Sequence, residues 1–170
     1  MAAPQSGEFA PAGGPGGSDP GSESALRRGA LIIAAATCLG LFVELTVERH
    51  WTQPAQLVAW GAVMAVLVAT GLVWRGNNQR HLRVAQVLAV LVVVSAAVGV
   101  GQHIAANYDA GELDAEYGEG WSSLSPSERW WLAISKTVGP SPPLAPGALA
   151  VPAALVLLAA SRPPMTRHAP

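Results

Sequence analysis

The chain has 170 residues, 51% of them hydrophobic and only 12% charged, about half the charged fraction of an average soluble domain. Ten basic and eleven acidic residues give a formal net charge of −1 with no basic stripe, which excludes a nucleic-acid surface. The single cysteine, Cys38, excludes an intrachain disulfide framework and a cysteine-based zinc site.

Met1 to Glu23 is rich in Gly, Pro, Ala and Ser ("APAGGPGGSDPGSES"). Such a segment buries too little apolar surface to offset its ordering entropy, so residues 1–26 are read as a disordered cytoplasmic tail. Residues 27–161 carry spans at about 29–46, 55–74, 84–104 and 144–161. The first three each supply the roughly twenty apolar residues that cross a hydrocarbon core about 30 Å thick. The fourth is shorter, with Pro146 near its start and Pro152 inside, where a kink is expected. The expected fold is all-α: a polytopic membrane protein with four transmembrane helices in a bundle.

Arg27, Arg28, Arg75, Arg80, Arg83, Arg162 and Arg167 flank one side of these spans, and only Arg49, Arg129 and Lys136 flank the other. The positive-inside rule then puts both termini, including residues 162–170, in the cytoplasm. Glu44, Glu48, His50 and the acidic loop 105–143 face outward. The stretch "LRRGALIIAAATC" also resembles a lipoprotein signal ending in Cys38. Against that, "LGLFVELTV" prolongs the apolar run to membrane length, and Thr37 precedes the cysteine.

Within the outer loop, "SPSERWWLAISKTVG" offers Ser125 as N-cap, Pro126 at the first helical position and Glu128 as capping-box partner. A short interfacial amphipathic helix is predicted there. Trp130, Trp131, Ile134 and Val138 favour one side of it, and Trp51, Trp121, Trp130 and Trp131 are expected as headgroup anchors.

At every fourth residue the first span reads Ala36, Gly40, Glu44, Glu48, and the third reads Ser95, Gly99, His103, Asn107. Small residues at this spacing allow close helix packing, so the two stripes are expected to face each other inside the bundle. Glu44 would lie inward, level with Gly99 and about one turn, roughly 5–6 Å, below Glu48 and His103. It would be a hydrogen-bonded strut to Gln56, Gln102 or His103, a ligand or proton-relay group, or a snorkelling side chain. No cofactor is expected. An alternative takes Glu44, Glu48, His50, His103 and Asn107 as an outer metal or haem cluster, since imidazole and carboxylate suit zinc, iron or copper, and two histidines can ligate haem. His81 and His168 are read as solvated. "NYDAGELDAEYGEG" lacks the ligand spacing of a calcium loop, and no nucleophile elbow, P-loop, dinucleotide fingerprint or HExxH motif occurs.

"VELTVERHW", "VGVGQHIAANYDAGEL" and "PPLAPGALA" together resemble a loose group of small bacterial four-span integral membrane proteins of uncharacterised role. The matching positions are Glu44, His50, His103, Asn107, Leu144, Ala145, Pro146 and Gly147. The fourth span, "ALAVPAALVLLAAS", departs from that pattern. The resemblance implies four spans and an outer polar cluster, and brings no activity; a bacterial plasma membrane is the expected location. The leading expectation is a non-catalytic accessory or assembly subunit whose partners are the bilayer and other membrane subunits, or itself as a homo-oligomer. A metal- or haem-binding redox protein is the alternative. A transporter is less favoured, for the spans show no inverted repeat.

Overall fold

The computed structural model describes residues 20–76 and 78–161. These form helices and turns without a strand: α1 (Pro20–Val47), α2 (Leu57–Arg75), α3 (Gln79–Ala110), α4 (Pro126–Ile134) and α5 (Ala150–Ala160). Segments Gly21–Val47, Pro54–Arg75 and Gln79–Leu113 are long and apolar enough to cross a membrane. Ala145–Ala160 is apolar but shorter, so by length the described chain has three such segments rather than the expected four.

Helix α1 starts at Pro20, so residues 20–26 are helical and not part of a tail. After Gly21 their sequence, SESALR, contains no helix breaker. The tails at 1–19 and 162–170 lie outside the described residues.

The far end of α1 closes on a left-handed residue, Arg49 at φ 50°. Arg49 N–H donates to Thr46 O and His50 N–H to Leu45 O, at 3.1 and 2.9 Å. That pairing satisfies the last carbonyls in the Schellman manner. Helix α4 ends the same way at Lys136 (φ 59°), with Thr137 N–H on Leu132 O at 2.9 Å. In both, a cation near the negative end of the helix dipole stands where glycine is usual.

Helix α2 follows a 3-10 turn, Pro54–Gln56, in which Gln56 Oε1 accepts from the Thr52 and Gln53 N–H groups at 2.8 and 3.2 Å. Helix α3 is N-capped by Asn78, whose side chain accepts from Arg80 N–H at 2.9 Å. At 32 residues it is about 48 Å long, far more than a ~30 Å hydrocarbon core requires. The chain therefore stays helical six residues beyond the predicted end of the third span, until Gly111.

Helices α1, α2, α3 and α5 share one core. Helices α2 and α5 each pack on both α1 and α3 and on each other, with α1 and α3 on opposite sides of that pair. The buried apolar positions of α1 are Leu31, Ala34 and Cys38, and those of α3 are Leu82, Ala85, Ala89, Val92 and Ala96. Both sets recur at alternating steps of three and four, the spacing of a packed helix seam. Alanine predominates, so backbones approach closely and dispersion holds the interface.

Helix α5 is preceded by a 3-10 turn, Ala145–Leu149. Pro152 falls in the first α-turn, where its missing N–H leaves no bond unmade. The expected kink is instead a change of helix type just before it.

One cation on α1 ties two helix ends together. Arg27 Nε donates to Ala159 O at 3.2 Å, and its Nη2 donates to Val73 O at 2.8 Å and Gly76 O at 3.3 Å. Val73 O also accepts from Gly76 N–H at 3.4 Å, and the guanidinium adds a charged donor at the negative ends of the α2 and α5 dipoles. This end, the Arg27 end, lies opposite a small cap built from residues 111–143.

Candidate functional site

The cap rests on the end of α3. Its centre is Trp121, 2% exposed, whose ring meets Tyr108 edge-on at 5.6 Å. A Cβ on Gly111 would run into that indole, so the glycine is required by close approach. Trp130 stacks on Tyr108 at 4.7 Å, and the Arg129 guanidinium lies 5.9 Å from the same ring centre. Trp121 is thus a core residue of the cap and not a headgroup anchor, while Trp51, Trp130 and Trp131 are exposed. Val138 and Ala133 are buried, so Val138 does not share an outward face with Trp131 and Ile134.

Helix α4 is held by the predicted capping box. Glu128 N–H donates to Ser125 Oγ at 3.3 Å, and Ser125 N–H donates to Glu128 Oε2 at 2.8 Å. Hydrogen bonds from the Ser125 hydroxyl and then from its backbone hold the Glu128 carboxyl below its usual range. Tyr117, Leu124, Ser127, Glu128, Trp131 and Leu132 line a shallow open groove beside it.

Asn107 is fully buried. Its Nδ2 donates to Ala133 O and Ser141 O at 3.2 and 2.8 Å, and its Oδ1 accepts from Ser141 N–H at 2.9 Å. Gly139, at φ 84°, crosses directly against this side chain, with no room for a Cβ. Asn107 is therefore a latch between α3, α4 and the proline-rich entry to α5. One turn earlier, His103 Nδ1 lies 2.9 Å from Pro142 O. A carbonyl can only accept, so Nδ1 carries a proton. A further turn along, a Cβ on Gly99 would fall 2.8 Å from Pro146 Cβ. The stripe of half-buried Ser95, Gly99, His103 and buried Asn107 does face inward, but onto the approach to α5 and not onto α1.

The first-span stripe faces the other way. Ala36, Gly40, Glu44 and Glu48 are all exposed, and nothing lies within 4 Å of a Cβ built on Gly40. The core-facing side of α1 is Leu31, Ala34 and Cys38, continued by half-buried Leu41 and Leu45. Glu44 is consequently not an inward strut, and no side-chain hydrogen bond or ion pair engages it among the described residues. Close by, Trp60 Nε1 donates to His50 O at 2.7 Å, and the Trp60 ring lies 5.1 Å from Phe42 and 6.1 Å from Trp51. This aromatic group marks the cap end of α1 and α2.

Glu44, Glu48, His50, His103 and Asn107 therefore do not form one cluster. Among the described residues no three His, Cys, Asp or Glu side chains converge as a metal-ligand group. The two inventoried stripes divide instead into an internal latch on α3 and an outward, unpartnered face on α1. Sequence reasoning missed Arg27 as a staple, because its acceptors are helix-terminal carbonyls that leave no mark in the sequence.

Compared with protein-family models, curated proteins and solved structures, the chain matches none.

Proposed function

We propose that the chain is an integral membrane protein of four crossings that serves as a non-catalytic accessory or assembly subunit, docking another membrane polypeptide on the outward face of α1. The observation that carries this reading is the rotation of α1, which turns Ala36, Gly40, Glu44 and Glu48 away from the chain's own core. In lipid, small residues and carboxylates on a helix are found against protein, since close packing and polar pairing have value there and none against acyl chains.

A fourth crossing is supported by reach. Ala145–Leu149 and Ala150–Ala160 together rise about 26 Å at about 2.0 and 1.5 Å per residue, close to the ~30 Å core. One end of this segment follows the Asn107 latch, and the other meets Arg27 beside the end of α2. The arginine distribution supports an outward cap and cytoplasmic termini, and the resemblance to four-span bacterial proteins supports a plasma-membrane setting.

The test is native mass spectrometry of the protein extracted in mild detergent from its own membrane, alongside Gly40→Leu. The expected result is excess mass equal to a second polypeptide, lost in the variant. A bare monomer for both proteins would contradict the subunit reading.

A further inference from the structure

We infer that the partner docked on α1 is a transmembrane helix carrying a basic side chain (lysine, arginine or histidine) about one turn inside the outer membrane boundary. This deepens the subunit reading and rests on it.

The argument begins with a comparison inside the molecule. The outward surfaces of the other apolar helices carry Met64 and Val68 on α2, Val87 and Val94 on α3, and Val151 and Leu158 on α5, with exposed Gly61, Ala97 and Gly101 among them, and α1 likewise exposes Ile32, Ile33, Leu39 and Val43. These are side chains that acyl chains solvate well. Between Gly29 and Val47, Leu57 and Trp74, Val84 and Gly101, and Ala150 and Ala160, the one charged residue is Glu44. It stands on the outward face, one turn beyond the open space over Gly40. From Arg28 to Glu44 is about 24 Å of helix, so in a core about 30 Å thick the carboxylate lies roughly one turn below the outer boundary. Ionisable side chains at such depth pair with a complementary group, and the chain supplies none to Glu44 among the described residues.

The charge of the face selects the occupant. A second copy docked by a two-fold axis would set Glu44 against Glu44 and Glu48 against Glu48, a like-charge contact. Arg49, the nearest cation in sequence, lies past the helix end in the left-handed turn. A helix with a single basic residue opposite Glu44, and small residues opposite Gly40 and Ala36, meets both the electrostatic and the steric demand.

The experiment uses the full-length protein in phosphatidylcholine vesicles, dye-labelled at Ser161→Cys in a Cys38→Ala background. Three single-span synthetic peptides share one alanine- and glycine-rich face and differ at one position, a turn from the outer end, which is Lys, Leu or Glu. Energy transfer is expected to report binding of the Lys peptide about tenfold tighter than the Leu peptide, with the Glu peptide weakest. Glu44→Gln is expected to bring Lys and Leu within about twofold of each other. Equal binding of Lys and Leu peptides, or a Lys preference that survives Glu44→Gln, overturns the inference. If Leu-peptide binding is then abolished by Gly40→Leu, the subunit reading stands without it; if no peptide binds, both fall. Transfer between two copies of the chain that exceeds transfer to any peptide and is lost in Gly40→Leu assigns the face to self-association and also overturns it.

Discussion

The Asn107 amide makes three hydrogen bonds and has no solvent contact. Removing the Asn107 side chain strands the Ser141 carbonyl and N–H and takes one donor from Ala133 O, which keeps Lys136 N–H at 3.4 Å; a buried group left unsatisfied costs about 1–3 kcal/mol. Asn107→Ala is expected to loosen the attachment of residues 111–143 by about 3 kcal/mol, measured as faster amide exchange across the cap with α1 and α2 unaffected. Exchange unchanged in the cap would contradict the latch. At Arg49 the opposite sign is expected. A left-handed backbone costs a non-glycine residue about 1–2 kcal/mol, so Arg49→Gly is expected to raise thermal stability in detergent, the lost dipole contact offsetting part of the gain. At this scale the sequence was half informative. The position of Asn107 on an inward stripe was legible, but its acceptors are a carbonyl at the end of α4 and one in the loop after it, 26 and 34 residues away, which no local pattern records.

Among the elements, the start of α4 was legible, because a capping box is a contact between residues three apart, while the burial of Val138 beyond its end was not. Its folded state lowers the Glu128 pKa, so the cap's contribution is complete above the ordinary glutamate value of about 4.3 and declines as pH falls from there through the lowered folded value. Tryptophan fluorescence of the cap is expected to change on acidification below that range. Glu128→Gln, which cannot titrate, is expected to remove that component, and an identical profile in the variant would contradict the assignment. Helix α1 was legible as an element and misread in rotation. Its apolar seam, Leu31–Ala34–Cys38–Leu41–Leu45, and its small-residue stripe, Ala36–Gly40, which ends in Glu44 and Glu48, both suit close helix packing over the first turns of the span. Nothing local decides between them; the packing of α2 and α5 does.

At the scale of the molecule, the apolar stretches announced three membrane-length helices, while the arrangement of α1 and α3 across an α2–α5 pair followed from side-chain fit that hydropathy does not encode. Arg27 joins α1 to the ends of both members of that pair. Charge-assisted hydrogen bonds contribute about 1.5–3 kcal/mol, so Arg27→Met is expected to lower thermal stability by that order. Arg27→Lys is expected to recover only part, since an ammonium cannot fork between two helix ends. The central claim, that α1 turns a docking face outward, is tested most directly by photo-crosslinking in the native membrane. A photoreactive residue is placed singly at Gly40, at Val68 and at Val94. The account predicts a discrete polypeptide adduct from position 40 and lipid adducts alone from positions 68 and 94; lipid adducts alone from all three would contradict it.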